Sequence, residues 1–108
     1  MIEKGKNHAL TAEDYADGTF SVSSVGNIGG KYFVPTVLRP QGSIIAIGKA
    51  VKAPKYVEGS EEWKWEPSDV ISFSITCDHR VIDGATCGRF SQLMKSYIEN
   101  PNLMLLTM

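Results

Sequence analysis

Two stretches of the chain alternate apolar with polar residues, which is the pattern of a half-buried β-strand. In residues 19–25, Phe20 and Val22 alternate with hydroxyl side chains. In residues 71–77 the alternation is the most regular in the sequence, and it ends at Cys77. We therefore predict a strand over each stretch, with successive side chains on opposite faces of a sheet.

A continuous apolar run over residues 43–48 has the length of a strand buried on both faces, so we predict that it lies in the middle of the sheet. Residues 49–56 extend this strand in the prediction. The three residues 63–65 alternate in the same way, and the polar residues 58–62 between the two stretches have the composition of a turn. The pattern predicts a β-hairpin.

From Gly84 onward the apolar residues recur at intervals of three and four, which predicts an amphipathic helix that ends at Asn100-Pro101. The apolar positions are Phe90, Leu93, Met94, Tyr97 and Ile98. We interpret this stripe as core, with Phe90 beneath the strand that ends at Cys77. The apolar residues 103–106 are predicted to pack on this domain or on a neighbouring subunit.

Two features lie outside the regular elements. Near the beginning of the chain, Thr11 is placed to cap a short helical turn. After the first strand, Gly26, Gly29 and Gly30 predict a flexible turn in which the backbone can approach another segment closely.

The chain has 108 residues, of which 43% are hydrophobic and 21% charged, and this is the composition of one small globular domain. A net charge of -1 without a basic stripe excludes a nucleic-acid partner from our expectation. The apolar runs are far shorter than the roughly 18 residues of a membrane-spanning helix, so we expect no membrane partner. The polar residues 1–7 show no export signal.

Cys77 and Cys87 are the two cysteines of the chain, and two are a poor disulfide framework. We interpret both as thiols and as small buried hydrophobic residues. A zinc site built from Cys77, His79 and Cys87 lacks a fourth ligand, so no metal is expected.

The candidate chemistry lies in residues 78–85, between the clearest strand and the predicted helix. Such a junction exposes side chains, and a neutral imidazole at His79 can accept a proton from a weak acid such as a thiol. The alternative is purely structural, with Asp83 capping the helix and His79 satisfied within a turn. The spacing of these two residues does not decide between the alternatives.

A family resemblance favours the chemical interpretation. His79, Asp83 and Gly84 match the H-x-x-x-D-G motif of the chloramphenicol acetyltransferase-like acyltransferases. Residues 78–85 resemble the version of this motif in dihydrolipoyl acyltransferases, the E2 components of 2-oxoacid dehydrogenase complexes. Residues 18–26 resemble the G-T-F-T-I-S-N-L/I-G segment that precedes the motif in that family. The last thirty residues are most similar to the branched-chain 2-oxoacid enzymes.

The departures from the family pattern are few. Ser21 and Ser24 stand where Thr and Asn are common, and Cys77 stands before the motif where Phe, Tyr or Ala is usual. None of these positions belongs to the expected acid-base pair.

The resemblance implies an α/β fold, a chloramphenicol acetyltransferase-like mixed sheet with packing helices. Residues 1–108 would form the C-terminal part of the catalytic domain. It further implies a homo-oligomer with a trimer-based core. The E1 and E3 subunits of the complex would bind to this core through domains that these residues do not include. The implied location is the mitochondrial matrix in a eukaryote and the cytoplasm in a bacterium.

The implied reaction moves an acyl group between a dihydrolipoyl thiol and coenzyme A, with both molecules as substrates and without a metal. By resemblance, His79 takes the proton of the attacking thiol and Ser23 donates a hydrogen bond to the oxyanion, with Ser24 as the alternative donor. Asp83 would orient the loop by pairing with an arginine.

Two other functions remain as alternatives. A hydrolase would use Ser23, His79 and Asp83 as a triad, although the serine does not lie in a G-x-S-x-G motif. A catalytically silent assembly fragment would keep the packing surfaces and leave Ser23 as an ordinary strand hydroxyl. The sequence specifies neither the acyl group nor the coenzyme A contacts.

Overall fold

The computed structural model describes residues 1–59, 62 and 64–107. The described elements are α1 (Ile2–Lys6), α2 (Ala12–Tyr15), β1 (Ser21–Ser24), β2 (Ser43–Ile47), β3 (Val51–Tyr56), β4 (Trp65–Val70), β5 (Phe73–Cys77), α3 (Gly84–Glu99) and α4 (Asn102–Thr107). They form a mixed α/β arrangement, as the sequence predicts. None of the described helices is long and apolar enough to span a membrane.

Strand β2 lies at the centre of a three-stranded sheet of order β1-β2-β5, and this confirms the predicted central strand. β1 pairs with it in parallel and β5 antiparallel. Ile44, Ile45 and Ala46 are 5%, 5% and 1% exposed and form the buried hydrophobic core of the described chain. A short apolar strand is favoured here because both of its edges are paired and both of its faces are covered.

The glycine-rich turn after β1 lies against the backbone that follows β2. The Lys49 amide donates to the Gly30 carbonyl at 2.8 Å. A Cβ on Gly48 would lie 2.5 Å from the Lys31 carbonyl oxygen, and one on Gly26 would lie 3.2 Å from the carbonyl of Gly48. The close backbone approach expected from these glycines is therefore an approach between two segments of this chain.

The predicted hairpin is confirmed, because β3 and β4 pair antiparallel over six residues. It forms a two-stranded sheet of its own and does not extend β2. The second strand also continues to Val70, well beyond the predicted residues 63–65. Pro67 and Asp69 are poor strand residues, but Pro67 pairs opposite Pro54 in a ribbon whose outer edges need no partner. Residues 60, 61 and 63 of the prediction lie outside the described residues.

Helix α3 begins and ends where the sequence predicts, but its apolar stripe is not core. No residue of α3 is buried, and Phe90, Leu93 and Ile98 are 46%, 53% and 62% exposed. The Phe90 ring lies 6.1 Å from the ring of Phe20, at an interplanar angle of 45°. The prediction that Phe90 fills the core beneath β5 is therefore wrong. Among the described residues, no element covers the apolar stripe of α3 and buries it.

Both ends of the chain are helical. The predicted turn after Thr11 is α2, and the Thr11 amide donates to the Asp14 carboxylate at 2.9 Å, a bond that lowers the pKa of Asp14. Helix α1 is not predicted by the sequence pattern. The apolar residues 103–106 form most of α4, which contacts α3 but remains exposed, with Leu106 79% exposed. The tail does not pack into the core of this chain.

Candidate active site

His79 lies in a tight turn between β5 and α3. The ladder between β2 and β5 continues one residue past Cys77, because the Asp78 amide donates to the Gly42 carbonyl at 2.7 Å. The chain then turns, and the amides of Val81 and Ile82 both donate to the carbonyl of Asp78 at 3.1 and 3.0 Å. This turn leaves the His79 side chain exposed at the end of the sheet.

An ion pair fixes the beginning of this turn. Arg80 donates from Nη2 to Asp78 Oδ2 at 2.7 Å and from Nε to Asp78 Oδ1 at 3.0 Å. The side-chain bond from Arg80 holds the pKa of Asp78 at about 2, and the same bond raises the pKa of Arg80. Among the described residues Asp83 forms no ion pair with an arginine, and Arg80 is turned towards Asp78, two residues before it.

Asp83 fixes the end of the turn by capping α3. Its Oδ1 accepts a hydrogen bond from the Thr86 amide at 2.6 Å, and this bond lowers the pKa of Asp83. An N-cap carboxylate satisfies a backbone amide that has no partner inside the helix, and it lies at the positive end of the helix dipole. The capping role that the sequence analysis gave as the structural alternative is therefore present. The role of Asp83 in orienting the loop through an arginine stays a prediction.

Ser23 lies on β1, the edge strand of the three-stranded sheet. The strand alternates as predicted, since Ser23 is half-buried and Ser24 is exposed. Ser23 is in register with Ala46 of β2, which is in register with Ser74 of β5. Residues in register point to the same face of a sheet, so Ser23, Ala46 and Ser74 form one row across it.

The structure does not bring Ser23 and His79 together within one chain. Asp78 is bonded opposite Gly42, and Ser23 is level with Ala46, four residues further along β2. At ~3.3 Å per residue and ~4.8 Å between strands, Ser23 and Asp78 are roughly 16 Å apart. The distance is several times the reach of a hydrogen bond.

A pocket of about 300 Å³ opens on the face that carries Ser23's row. The lining residues are Lys31, Tyr32, Phe33, Val34, Ala46, Ser72, Phe73 and Ser74. The sequence pattern does not predict this pocket, because the segment 31–34 has no periodicity. It lines the pocket because the turn after β1 carries it onto the sheet.

The two cysteines meet at the inner end of the His79 turn. Both are free in this structure and half-buried, less buried than the sequence predicts, and Cys77 Sγ lies 2.8 Å from Cys87 Sγ. The contact with Cys77 and partial burial raise the pKa of Cys87. Among the described residues, no three His, Cys, Asp or Glu side chains are grouped as a metal site would require.

The sequence profile described as "2-oxoacid dehydrogenases acyltransferase (catalytic domain)" matches residues 1–106. Over 105 residues the chain is 45% identical to the lipoamide acyltransferase component of the mitochondrial branched-chain alpha-keto acid dehydrogenase complex of Caenorhabditis elegans. That match covers 97% of this chain and 23% of the relative. Over 107 residues it is 40% identical to an Arabidopsis thaliana acetyltransferase component of the mitochondrial pyruvate dehydrogenase complex, covering 98% of this chain and 20% of that protein.

Two solved structures share the fold. The dihydrolipoamide acetyltransferase of Azotobacter vinelandii, studied for the roles of a serine, a histidine and an asparagine in catalysis, superposes with a TM-score of 0.83 at 32% identity. The cubic core of the pyruvate dehydrogenase multienzyme complex superposes equally well, at 31% identity. Each match covers 95% of this chain and 41% of the solved chain. The chain therefore spans about a fifth of the length of the curated relatives and about two fifths of the solved chains.

Proposed function

The chain belongs to the family of 2-oxoacid dehydrogenase acyltransferase catalytic domains, and from this we propose that it serves a transferase that moves an acyl group between a dihydrolipoyl thiol and coenzyme A. The proposal is carried by the position of His79. Its side chain is exposed in a turn that an Asp78–Arg80 ion pair fixes at one end and the Asp83 cap fixes at the other. A base held in this way is available to a thiol that approaches from solvent.

The Azotobacter enzyme supports the assignment of residues. The histidine and asparagine studied there are four positions apart, the same spacing as His79 and Asp83. The serine precedes the histidine by 52 residues there, and Ser23 precedes His79 by 56 here. An asparagine oxygen can cap a helix as a carboxylate does, so the residue at position 83 need not carry a charge.

In the proposed mechanism the proton and the negative charge are handled by different residues. His79 accepts the proton of the coenzyme A thiol, and the thiolate attacks the carbonyl carbon of the acyl-dihydrolipoyl thioester. Ser23 donates a hydrogen bond to the oxyanion of the tetrahedral intermediate, a contribution of about 3 kcal/mol in comparable sites. The intermediate then breaks its bond to the dihydrolipoyl sulfur, which receives the proton from His79. Acyl coenzyme A and dihydrolipoyl thiol are released.

The separation of Ser23 and His79 places a requirement on the assembly. With their backbone positions roughly 16 Å apart, Ser23 and the turn that begins at Asp78 are too far from each other to serve one thioester carbonyl and its attacking thiol. We propose that His79 of one copy meets Ser23 of another, so that the complete site lies between subunits of a trimer-based homo-oligomer. The similarity to a cubic core supports a closed assembly of copies.

The names of the relatives extend the proposal to its setting. They are components of mitochondrial 2-oxoacid dehydrogenase complexes, so we propose the other subunits of such a complex as partners. In a eukaryote the location would be the mitochondrial matrix.

The test combines two substitutions in the assembled enzyme with rapid-quench mass spectrometry. The donor is an acyl-dihydrolipoamide, with and without coenzyme A. Ser23→Ala should lower kcat by roughly a hundred- to a thousandfold with little change in KM, because an oxyanion donor acts in the transition state. His79→Ala should lower kcat at least as far, and Ser24→Ala is the matched control, since Ser24 is on the opposite, exposed face.

The same experiment separates transfer from the alternatives. A hydrolase would accumulate an acyl group on Ser23 and would release free acid whether or not coenzyme A is present. A catalytically silent assembly fragment would transfer no acyl group to coenzyme A even without a substitution. Either result would contradict the proposed transferase.

A further inference from the structure

Cys77 and Cys87 are close enough to react with each other. Their sulfur atoms are 2.8 Å apart, and a disulfide bond is about 2.05 Å long, so closing the bond requires an approach of less than about 1 Å. The chain has no other cysteine, so neither thiol has a competing partner within it. Ser43 Oγ also contacts Cys77 Sγ, at 3.5 Å.

The positions of the two cysteines give such a bond a consequence. Cys77 is the last residue of β5, and Cys87 lies in the first turn of α3. The segment between them, residues 78–86, is the turn that carries His79. A bond between the sulfurs would join the two ends of this turn at its base.

We propose that Cys77 and Cys87 are a redox-sensitive pair that closes reversibly into a disulfide and clamps the His79 turn. The oxidant is a small disulfide of the glutathione class. The thiolate of one cysteine attacks a sulfur of glutathione disulfide and releases glutathione, which leaves a mixed disulfide. The second cysteine then attacks the protein sulfur and releases the second glutathione. Two protein thiols are oxidised, and one glutathione disulfide is reduced to two glutathiones.

Reversibility follows from the chemistry of the pair. In a reducing compartment a glutathione pool keeps most thiols reduced, and the disulfides that do form there are usually transient. The reduced structure is therefore the resting state, and oxidation closes the clamp. The formation of the disulfide bond does not depend on the proposed acyl transfer. Only an effect of the bond on catalytic activity would depend on it.

Tryptic mapping can detect the bond directly, because Arg80 lies between the two cysteines. The folded chain is equilibrated in glutathione buffers of increasing disulfide content, quenched with iodoacetamide, and digested without reduction. We expect peptides 65–80 and 81–89 to appear joined by a disulfide. The fraction of alkylated Cys77 and the fraction of alkylated Cys87 should fall by the same amount. Reduction should restore both sites. In Cys77→Ser and Cys87→Ser, the remaining cysteine should instead retain one glutathione.

Thermal unfolding tests the clamp separately. A bond that closes a loop of this size should raise the melting temperature by at least about 4 °C. Hydrogen exchange of residues 78–86 should slow in the oxidised chain. The proposal would be overturned by glutathione on both cysteines of the unsubstituted chain, by disulfide-linked dimers, or by thiols that stay free in glutathione disulfide alone. A joined peptide pair with an unchanged or lower melting temperature would overturn the clamp.

Discussion

Short-range bonds between neighbouring residues shape the turn that presents His79. Asp78 bonds Arg80 two residues later, and Asp83 bonds Thr86 three residues later. Bonds between charged groups and amides this close in sequence form with little loss of chain entropy. The geometry around His79 is thus largely a property of the segment 78–86 itself.

Asp83 allows a prediction at this scale. Asp83→Ala should lower the free energy of unfolding by about 1 kcal/mol, because the Thr86 amide loses its acceptor. Asp83→Asn should change it by only a few tenths of that amount, because the amide oxygen still caps the helix. Urea unfolding at pH 7 measures both. Equal losses in the two variants would show that the charge of Asp83 matters and the cap does not.

At the scale of elements, the edge of the sheet and the outer side of α3 are under-packed. β1 has one strand partner, and its Val22 is 65% exposed. α3 has an apolar stripe of which no residue is buried. Each element carries apolar side chains of the kind that are normally buried, but no neighbouring element among the described residues covers them.

Phe90 gives a prediction at this scale. With its ring about half exposed and one aromatic neighbour, Phe90→Ala should cost about 1–2 kcal/mol of stability. A fully buried ring would cost about 3–5 kcal/mol. Gln92→Ala, on an exposed position of the same helix, should cost little. The measurement is denaturant unfolding below micromolar concentration, and a cost in the higher range would mean that the ring is buried in solution.

The whole molecule exposes more surface than a globular protein of its mass. Its accessible area is 8979 Å², whereas a monomer of 11.8 kDa has about 5900 Å². The radius of gyration is 17.7 Å, against about 13 Å for a compact domain of this length. The exposed area includes large apolar side chains, such as Ile28, Val34 and Leu105. Such a surface favours association.

We therefore expect the chain to self-associate at micromolar concentration. Sedimentation velocity should show species heavier than a monomer. Deletion of residues 103–108 should shift the distribution towards the monomer, because it removes the exposed apolar side chains of α4, among them Leu105 and Leu106. Lys95→Ala, which changes an exposed charge on α3, is the control. A folded, monodisperse monomer at these concentrations would contradict this expectation.

The sequence by itself determined the local structure. The period of two placed β1 and β5, the continuous apolar run placed β2, and the period of three to four placed α3. Each of these signals arises within one element, where neighbouring residues alone decide which side chains share a face. For the same reason the sequence identified the position of His79 at a strand-helix junction and the cap at Asp83.

The tertiary structure decided which of these elements meet. It placed Ser23 and His79 far apart and formed the pocket beside Ser23's row. It also brought Cys77 to Cys87 and left Phe90 half exposed. Strand order, register and the packing partner of an amphipathic face depend on contacts between residues far apart in the chain. A periodic pattern states that a face should be buried, but it does not state against what, because many partners satisfy the same apolar surface.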